Sequence, residues 1–564
     1  MNDEDILDPE LAEELAIDSG SDEDAEEELT LDQLQQMLES DDDFIEDEVS
    51  EEPLTWSSDF NEFRGVREDF NEEAGPKIEG TSPLGLFTQI WDQPLMDSIV
   101  HETNHYAWET ITGFFETGDS MPSKSRMNDW VETSVSELYR LIGVMIFMSI
   151  CVRSRLEEYW MTGVMGMPEF RKLMSRDHYV MLLKFLHFTD NNNIHVQGRD
   201  KKIAKIKPII DYLNKKFQSI YVPHREVSID ESLLLWKGHL SWKQCIRSKA
   251  ARFGIKSYEL CEAVTGYVVN LILYAGKGTT TAETVYGFTT STAKIVLELF
   301  KNYLGKGYTL FMDNFYNSVP LTQFLKKHKT DVVGTLNRRR KDTPVEIQNL
   351  QDKRMARGSV VSRHCGDVSV IAWKDVKLVT TVSTYHKTDM APGHRAGQPC
   401  SKPVVVHEYN KYMGGVDLKD QKLSMYLLER KRGIKWYIKV FRRLLNISIL
   451  NAYIIYCANI GQHKKMTHRQ FRFKLAEELC LEFGQNVSSR SRQVPIPTCS
   501  RLNRDFNHFP VHNEVTEERT KKQDKFKRGR CVRCRQKCNI ACSHCTVYIC
   551  VGQCWLEYHT LENL

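Results

Sequence analysis

The first 52 residues contain no Lys and no Arg, yet they hold 24 Asp and Glu. A segment so one-sided in charge, with few aromatics and no sustained apolar pattern, cannot bury enough surface to offset its lost conformational freedom. Residues 1–80 therefore read as a disordered acidic tail. The basic opening of a secretory signal is also missing, because the first residues are acidic. No apolar run reaches membrane-spanning length: the longest, near Leu141–Val152, falls short of the roughly 20 residues a bilayer requires. These absences favour a soluble intracellular chain without a membrane partner. In a reducing compartment its 15 cysteines are free thiols or metal ligands rather than disulfides.

At 564 residues, 41% of them hydrophobic, the chain has room for several domains with real cores. The formal net charge of −1 conceals an asymmetry. Outside the tail, 75 Lys and Arg face 52 Asp and Glu, an excess of about 23 positive charges. A basic body with an acidic extension suits a polyanion-binding protein.

Residues 81–225 carry helical periodicity. Ser134 and Glu137 form a capping box ahead of the apolar run to Ile150, and 174–188 and 206–221 repeat large apolar residues at helical spacing. At Val227 the texture changes. Residues 227–235 read as a strand carrying Asp230, and 258–264 and 267–274 as a hairpin turning at Thr265–Gly266. A helix near 296–304 and a strand at 308–312 ending on Asp313 follow. Residues 340–403 read as a β-rich insertion with strands at 368–374 and 377–384, and 409–457 as mainly helical. Trp236, Trp242 and Trp436 read as core residues.

Three acidic motifs stand out: Ser-Ile-Asp230-Glu, Phe-Met-Asp313-Asn and Gly-Gly-Val-Asp417-Leu-Lys-Asp420. Mg²⁺ prefers hard oxygen ligands and takes few of them, and two such ions about 3.5–4 Å apart serve in-line phosphodiester chemistry. Asp230 and Asp313 lie side by side if their strands pair, and Asp417 or Asp420 closes the site from far along the chain. A basic group lies near each motif: Lys249, Arg252 and Lys256; Arg338, Arg339, Arg340 and Lys341; then Lys431, Arg432, Lys435, Lys439, Arg442 and Arg443. That recurrence makes them candidate DNA contacts.

From about residue 130 onward the chain resembles the piggyBac family of DNA transposases. The resemblance rests on Glu157-Glu158-Tyr159-Trp160, Met174-Ser175-Arg176-Asp177, Leu186-His187-Phe188, Lys205-Ile206-Lys207-Pro208, Ser228-Ile229-Asp230-Glu231, Phe253-Gly254-Ile255-Lys256, Met312-Asp313-Asn314-Phe315-Tyr316, Val333-Gly334-Thr335, Tyr409-Asn410 and Gly414-Gly415-Val416-Asp417 through Asp420-Gln421. It implies an α/β fold with an RNase H-like catalytic core, a β-rich insertion, a mainly helical dimerisation and DNA-binding domain, and a C-terminal cross-brace zinc finger. The implied boundaries are 81–225 and 427–485 for the helical domain, 226–339 and 404–426 for the core, 340–403 for the insertion, 486–525 for a linker and 526–564 for the finger. The resemblance further implies cut-and-paste transposition at TTAA through a DNA hairpin, with Asp230, Asp313 and Asp417 catalytic and Asp420 a further acid near two Mg²⁺ (or Mn²⁺) ions. The implied partners are transposon-end and target DNA and a second copy of the chain, with nuclear localisation and import factors. One departure is Ser248-Lys249-Ala250-Ala251-Arg252, where many relatives place a Pro.

Seven cysteines crowd into residues 531–554 as Cys531-x2-Cys534, Cys538, Cys542-x2-Cys545 and Cys550-x3-Cys554, followed by His559. Paired C-x2-C knuckles with further Cys and His are a strong zinc signal, and eight ligands suffice for two tetrahedral Zn²⁺ ions. Cys538 lies off the family spacing, and His544 is its rival. The preceding Lys521, Lys522, Lys525, Lys527, Arg528 and Arg530 suit phosphate contact or nuclear targeting.

Overall fold

The computed structural model describes residues 54–116, 125–163, 166–192, 200–246, 253–276, 279, 285–395, 398–429, 435–461, 464–484, 508–512, 529–545 and 547–561. Lys249, Arg252, Lys431, Arg432 and the 521–528 basic run lie outside these residues, as does the tail to position 53. The chain divides into two units, 1–484 and 485–564.

The larger unit opens with helices α1 (Pro83–Ile90), α2 (Gln93–Glu116), α3 (Val135–Ile150), α4 (Arg176–Phe185) and α5 (Lys207–Ile220). Ser82 caps α1 by accepting from Gly85 N, with Pro83 at the first position where no N–H is needed. Ser134 caps α3 in the same way through Glu137 N. The reciprocal half of the expected capping box is missing. The buried Glu137 carboxylate instead accepts from Thr133 Oγ1 at 2.9 Å and meets His178 at 2.7 Å.

The central sheet follows. Strands β1 (Glu226–Leu235), β2 (Phe253–Glu262) and β3 (Val268–Leu273) are antiparallel, with Gly266 at φ +74° in the β2–β3 turn, where a left-handed backbone favours glycine. Helix α6 (Ser291–Phe300) leads to β4 (Thr309–Met312), which runs parallel to β1. Helix α7 (Val319–Lys327) leads to β5 (Asp331–Thr335), parallel to β4.

Strands β6 (Val360–Cys365), β7 (Val368–Lys374) and β8 (Leu378–Ser383) then extend the same sheet, because β8 pairs with β5. The order is β3-β2-β1-β4-β5-β8-β7-β6, with a short strand, Gln244–Cys245, also on the outer edge of β2. The β-rich 340–403 segment is thus joined to the core by hydrogen bonds, and the hairpin Met390–Arg395 with Gln398–Pro403 forms a separate two-stranded sheet.

The period-2 alternation sorts the residues by face. Val227, Ile229, Leu310, Met312 and Val332 enter the large helical core. Phe311 and Val333 point the other way and pack with Val405 and Val406 of α8 (Val404–Tyr412). Helix α9 (Gly415–Ser424) lies on that second face. A Cβ on Gly415 would sit 2.5 Å from Ser228 Oγ, so only glycine allows this approach.

Helix α10 (Trp436–Ile460) is long and apolar enough to cross a bilayer by length and composition, but most of it is buried inside the protein. Its Asn451 accepts from Val268 N and donates to Val268 O, while Asn214 of α5 does the same at Leu271. Two amide side chains therefore pair with the outer edge of β3 as a further strand would. Helix α11 (His468–Glu482) starts from a complete capping box, Thr467 with Gln470.

One boundary needs correction. Residues 54–80, read from sequence as part of the disordered tail, lie on the folded unit. Leu54 and Trp56 pack against the cluster around Val319 and Ile347. Ser57 exchanges two 2.9 Å backbone hydrogen bonds with His364 on edge strand β6. Arg67 meets Glu226 at 2.9 Å, and Glu68 N donates to Asp331 at 2.7 Å. Acidic composition masked this anchoring, although Trp56, Phe60, Phe63 and Phe70 are the residues that would signal it.

Candidate functional site

Ile229 of β1 stands opposite Met312 of β4 in a parallel register. The next residue on each strand is an acid, so Asp230 and Asp313 occupy matched positions on adjacent strands, roughly 5 Å apart at Cα. Asp230 shares its face with Ser228 and Ser232, both of which contact α9, on whose first turn Asp417 is exposed.

The turn after Asp313 is locked. Asp313 Oδ1 accepts from Phe315 N at 2.9 Å, and the fully buried Asn317 amide spans Met312 O, Asp313 O and Thr335 O at 2.9–3.1 Å. Gly334 admits Asn317, since a Cβ there would lie 2.1 Å from Nδ2.

Tyr409 on α8 joins the three acids. Its hydroxyl is pushed up to about 12 by burial first, then by Asp313, Asp230 and Asp417, while Thr335 hydrogen-bonds it. Three carboxylates from β1, β4 and α9 thus act on one phenol. Their ligand atoms do not all lie within 4.8 Å of one another, unlike the compact ligand clusters described below. Hard carboxylate oxygens facing one region form a donor set suited to Mg²⁺.

Asp420 has charged and polar partners within the fold. It pairs with Arg443 of α10, with Lys419 Nζ at 2.7 Å and with Ser232 Oγ at 2.9 Å. Burial pushes its pKa up, but Lys419 and Arg443 outweigh burial and hold it far below the usual carboxylate range. Lys419 also reaches Glu259 at 2.5 Å, and Arg443 reaches Glu429 at 3.6 Å. This buried ionic network pins α9 against β1 and β2.

Several of the described basic candidates make contacts within the fold. Lys256 is 9% exposed, with Nζ over the rings of Tyr258, Phe315 and Tyr274 at 4.9, 5.3 and 5.8 Å. The guanidinium of Arg340 is buried and donates to Phe315 O at 2.5 Å. Arg338 donates to Leu350 O at 2.6 Å, and Lys435 donates to Lys184 O at 3.0 Å and lies over Tyr106. Lys439 is 5% exposed. Among the described candidates Arg339, Lys341 and Arg530 are exposed. Trp236, Trp242 and Trp436 are buried.

Lys439 gives a direct test of this inward orientation. Burial lowers its pKa to about 8; Glu429 opposes the shift, and Arg442 and Lys237 add to it. Between about pH 8 and the ordinary 10.5 the unfolded chain binds this proton more tightly, so its contribution to stability rises with pH. Lys439→Met should therefore stabilise the protein at pH 7 by up to about 3 kcal/mol. The advantage should vanish by pH 10.5, and the salt dependence of DNA binding should be unchanged. Melting curves of both proteins across that range provide the measurement.

In the C-terminal unit, Pro510–His512 pairs with Ile540–Cys542, and α12 (Gln553–Thr560) closes the chain. Two ligand clusters form. One joins His508, Cys542, Cys545 and His559; the other joins Cys531, Cys534 and Cys550. His508 Nδ1 lies 3.4 Å from both Cys542 Sγ and Cys545 Sγ, His559 Nε2 lies 3.7 Å from Cys545 Sγ, and Cys534 Sγ lies 3.7 Å from Cys550 Sγ. A tetrahedron with Zn–S of about 2.3 Å and Zn–N of about 2.0–2.1 Å has edges of about 3.4–3.8 Å, so both clusters have the spacing a zinc ion requires.

Cys554 hydrogen-bonds Cys534 and Cys531, and is the best fourth corner of the second cluster. Cys538 lies 3.7 Å from Ile540 O and also hydrogen-bonds Cys550 of the second cluster. Sequence reading overlooked His508, because it lies 23 residues before Cys531 and outside the cysteine-rich stretch. His544 belongs to neither cluster.

A family model described as Transposase IS4 matches residues 82–453. The human PiggyBac transposable element-derived protein 2 is 24% identical over 518 residues, covering 88% of this chain and 80% of the relative. The human PiggyBac transposable element-derived protein 3 is 25% identical over 398 residues, 69% of this chain and 63% of the relative. The human PiggyBac transposable element-derived protein 5 is 22% identical over 454 residues, 77% and 82% of the two chains. A cryo-EM structure of the piggyBac transposase synaptic complex with hairpin DNA matches with a TM-score of 0.62 at 22% identity, covering 85% of this chain and 98% of that one. At that identity, the match establishes a shared fold.

Proposed function

The chain belongs to the piggyBac transposase family, and from that premise we propose that it is a DNA transposase whose phosphodiester chemistry is carried by Asp230, Asp313 and Asp417. The observation that carries the proposal is the parallel pairing of β1 with β4, which sets Asp230 beside Asp313 on the face that α9 covers. An RNase H-like core is supported by the strand order: three antiparallel strands, then two parallel strands reached through helices. Divalent cations, when bound, would supply Lewis-acid stabilisation of the attacking and leaving oxygens.

The chain's own residues hold the geometry. Asn317 and Gly334 fix the turn that aims Asp313, and the Lys419–Asp420–Arg443 network fixes the helix that carries Asp417. We therefore assign Asp420 a positioning role. Lys419→Met leaves Asp420 and Glu259 underpaired in a buried setting, at a cost of about 3–5 kcal/mol. In protein kept folded at low temperature, the Mg²⁺ concentration for half-maximal cleavage should rise while DNA affinity holds. An unchanged Mg²⁺ dependence would reduce the network to a purely structural role.

Hairpin-forming excision and TTAA insertion, action as a homodimer on two DNA ends, nuclear import through the 521–530 basic run, and two zinc ions in the C-terminal unit complete the proposal. The fold likeness to a transposase bound to hairpin DNA and the tetrahedral ligand spacing favour these elements. A second reading, a non-mobile DNA- or chromatin-binding protein, is favoured by the human relatives, which are named as transposable element-derived. Incubation with DNA carrying matched terminal repeats, with and without Mg²⁺, decides between them. Metal-dependent nicking supports the transposase, and binding without nicking supports the second reading.

A further inference from the structure

A second group of metal-ligating side chains lies far in sequence from the acidic face and outside the C-terminal unit. His101, His105 and Glu109 recur every four residues along α2, so they share one side of the helix. The imidazoles of His101 and His105 are nearly parallel, 5° apart in plane, with centroids separated by 6.3 Å. Asp190, in the segment after α4, comes up to this row. Ligand atoms of His105, Glu109 and Asp190 all lie within 4.8 Å of one another.

Glu102 adds a third carboxylate. Its Oε2 is shut off from solvent with no hydrogen-bond partner among the described residues, although Asn192 donates to Glu109 alongside it. Burial raises the Glu102 pKa, and Asp190 and Glu109 raise it further against the opposing effect of His101 and His105. Two imidazoles and three carboxylates thus crowd one patch. His105 is exposed, and Glu109 and Asp190 are half-exposed, so the patch is open to solutes.

We propose that His105, Glu109 and Asp190 form a binding site for a borderline divalent cation of the zinc and nickel class, with His101 one turn away as a further ligand. An imidazole nitrogen combined with carboxylate oxygens suits such ions better than Mg²⁺, which favours oxygen ligands alone. A helical His-x3-Glu pair chelates from one element, and Asp190 supplies a ligand from another. Bound metal therefore ties α2 to the segment leaving α4. Both elements belong to the helical part of the large unit, so the ion acts as a staple rather than as a participant in phosphodiester chemistry.

The test uses full-length protein, with its C-terminal cysteines intact, dialysed against buffered micromolar Zn²⁺. Metal content per chain is compared for the wild type, His105→Ala and Glu109→Gln. Each variant should carry one zinc equivalent fewer than the wild type. Added Ni²⁺ should raise the wild-type melting midpoint by about 2 °C or more and leave both variants unmoved, because an ion bound only to the folded state stabilises it. Both substitutions are at solvent-accessible positions, and equal melting midpoints without added metal would verify that the variants fold. Equal zinc content in all three proteins, or an equal Ni²⁺ response, would overturn the proposal.

Discussion

Asp313→Ala should abolish strand cleavage while leaving affinity for end DNA essentially unchanged. The turn around Asp313 is held by Asn317 and Gly334, so the loss of one carboxylate leaves the backbone in place. What disappears is a hard oxygen donor at the point where β1 and β4 present their acids together. Removing several kcal/mol of metal-dependent charge stabilisation corresponds to a rate loss of roughly 10³-fold or more. Asp313→Asn separates charge from structure, because its amide oxygen can still accept from Phe315 N. If the carboxylate serves the metal, both variants fail equally; if it serves only the turn, the Asn variant cleaves normally. Asp230→Ala and Asp417→Ala should behave alike. Wild-type excision by any one of these proteins would remove the assignment. A gel assay of nicked end DNA, paired with a binding isotherm, measures both quantities.

The strands that carry this site were legible in the sequence because their signals are local. Val227 and Ile229 alternate with polar neighbours, Thr265-Gly266 marks a turn, and the apolar run before Asp313 stops on an acid. The direction in which a basic residue points is not a local property. Lys439, Arg442 and Arg443 share α10 with a run of apolar residues, and their counter-charges Glu429 and Asp420 come from outside that helix. A charge count along the chain reads such residues as a DNA-facing surface, whereas burial beside carboxylates and aromatic rings makes them internal supports. The same limit applies to Lys256, enclosed by three rings, and to Arg340, whose guanidinium holds the carbonyl of Phe315. Composition likewise hid residues 54–80, where a few aromatics outweigh many acids.

His508→Ala should cost the C-terminal unit one of its two proposed zinc ions and with it the unit's fold. Among the described residues of this unit, the buried ones are chiefly Cys531, Cys542, Cys545, Ile549 and Tyr558. For such modules the metal supplies most of the folding free energy, about 10–16 kcal/mol per structural zinc in finger peptides. The ligands interleave along the chain, since Cys542 and Cys545 of one cluster fall between Cys534 and Cys550 of the other. Loss of one ion would loosen the segment that carries the second pair of cysteines, so damage should spread beyond one site. His544→Ala supplies the contrast, because His544 joins neither cluster among the described residues and its loss should retain zinc and end-DNA binding; Cys538→Ser tests the cysteine that touches the second cluster at Cys550. Zinc per chain by atomic emission, read beside protease resistance of the C-terminal unit, separates the cases. A Cys538→Ser protein that loses zinc, alongside a His508→Ala protein that keeps it, would restore the ligand set read from cysteine spacing and discard the histidine found by folding.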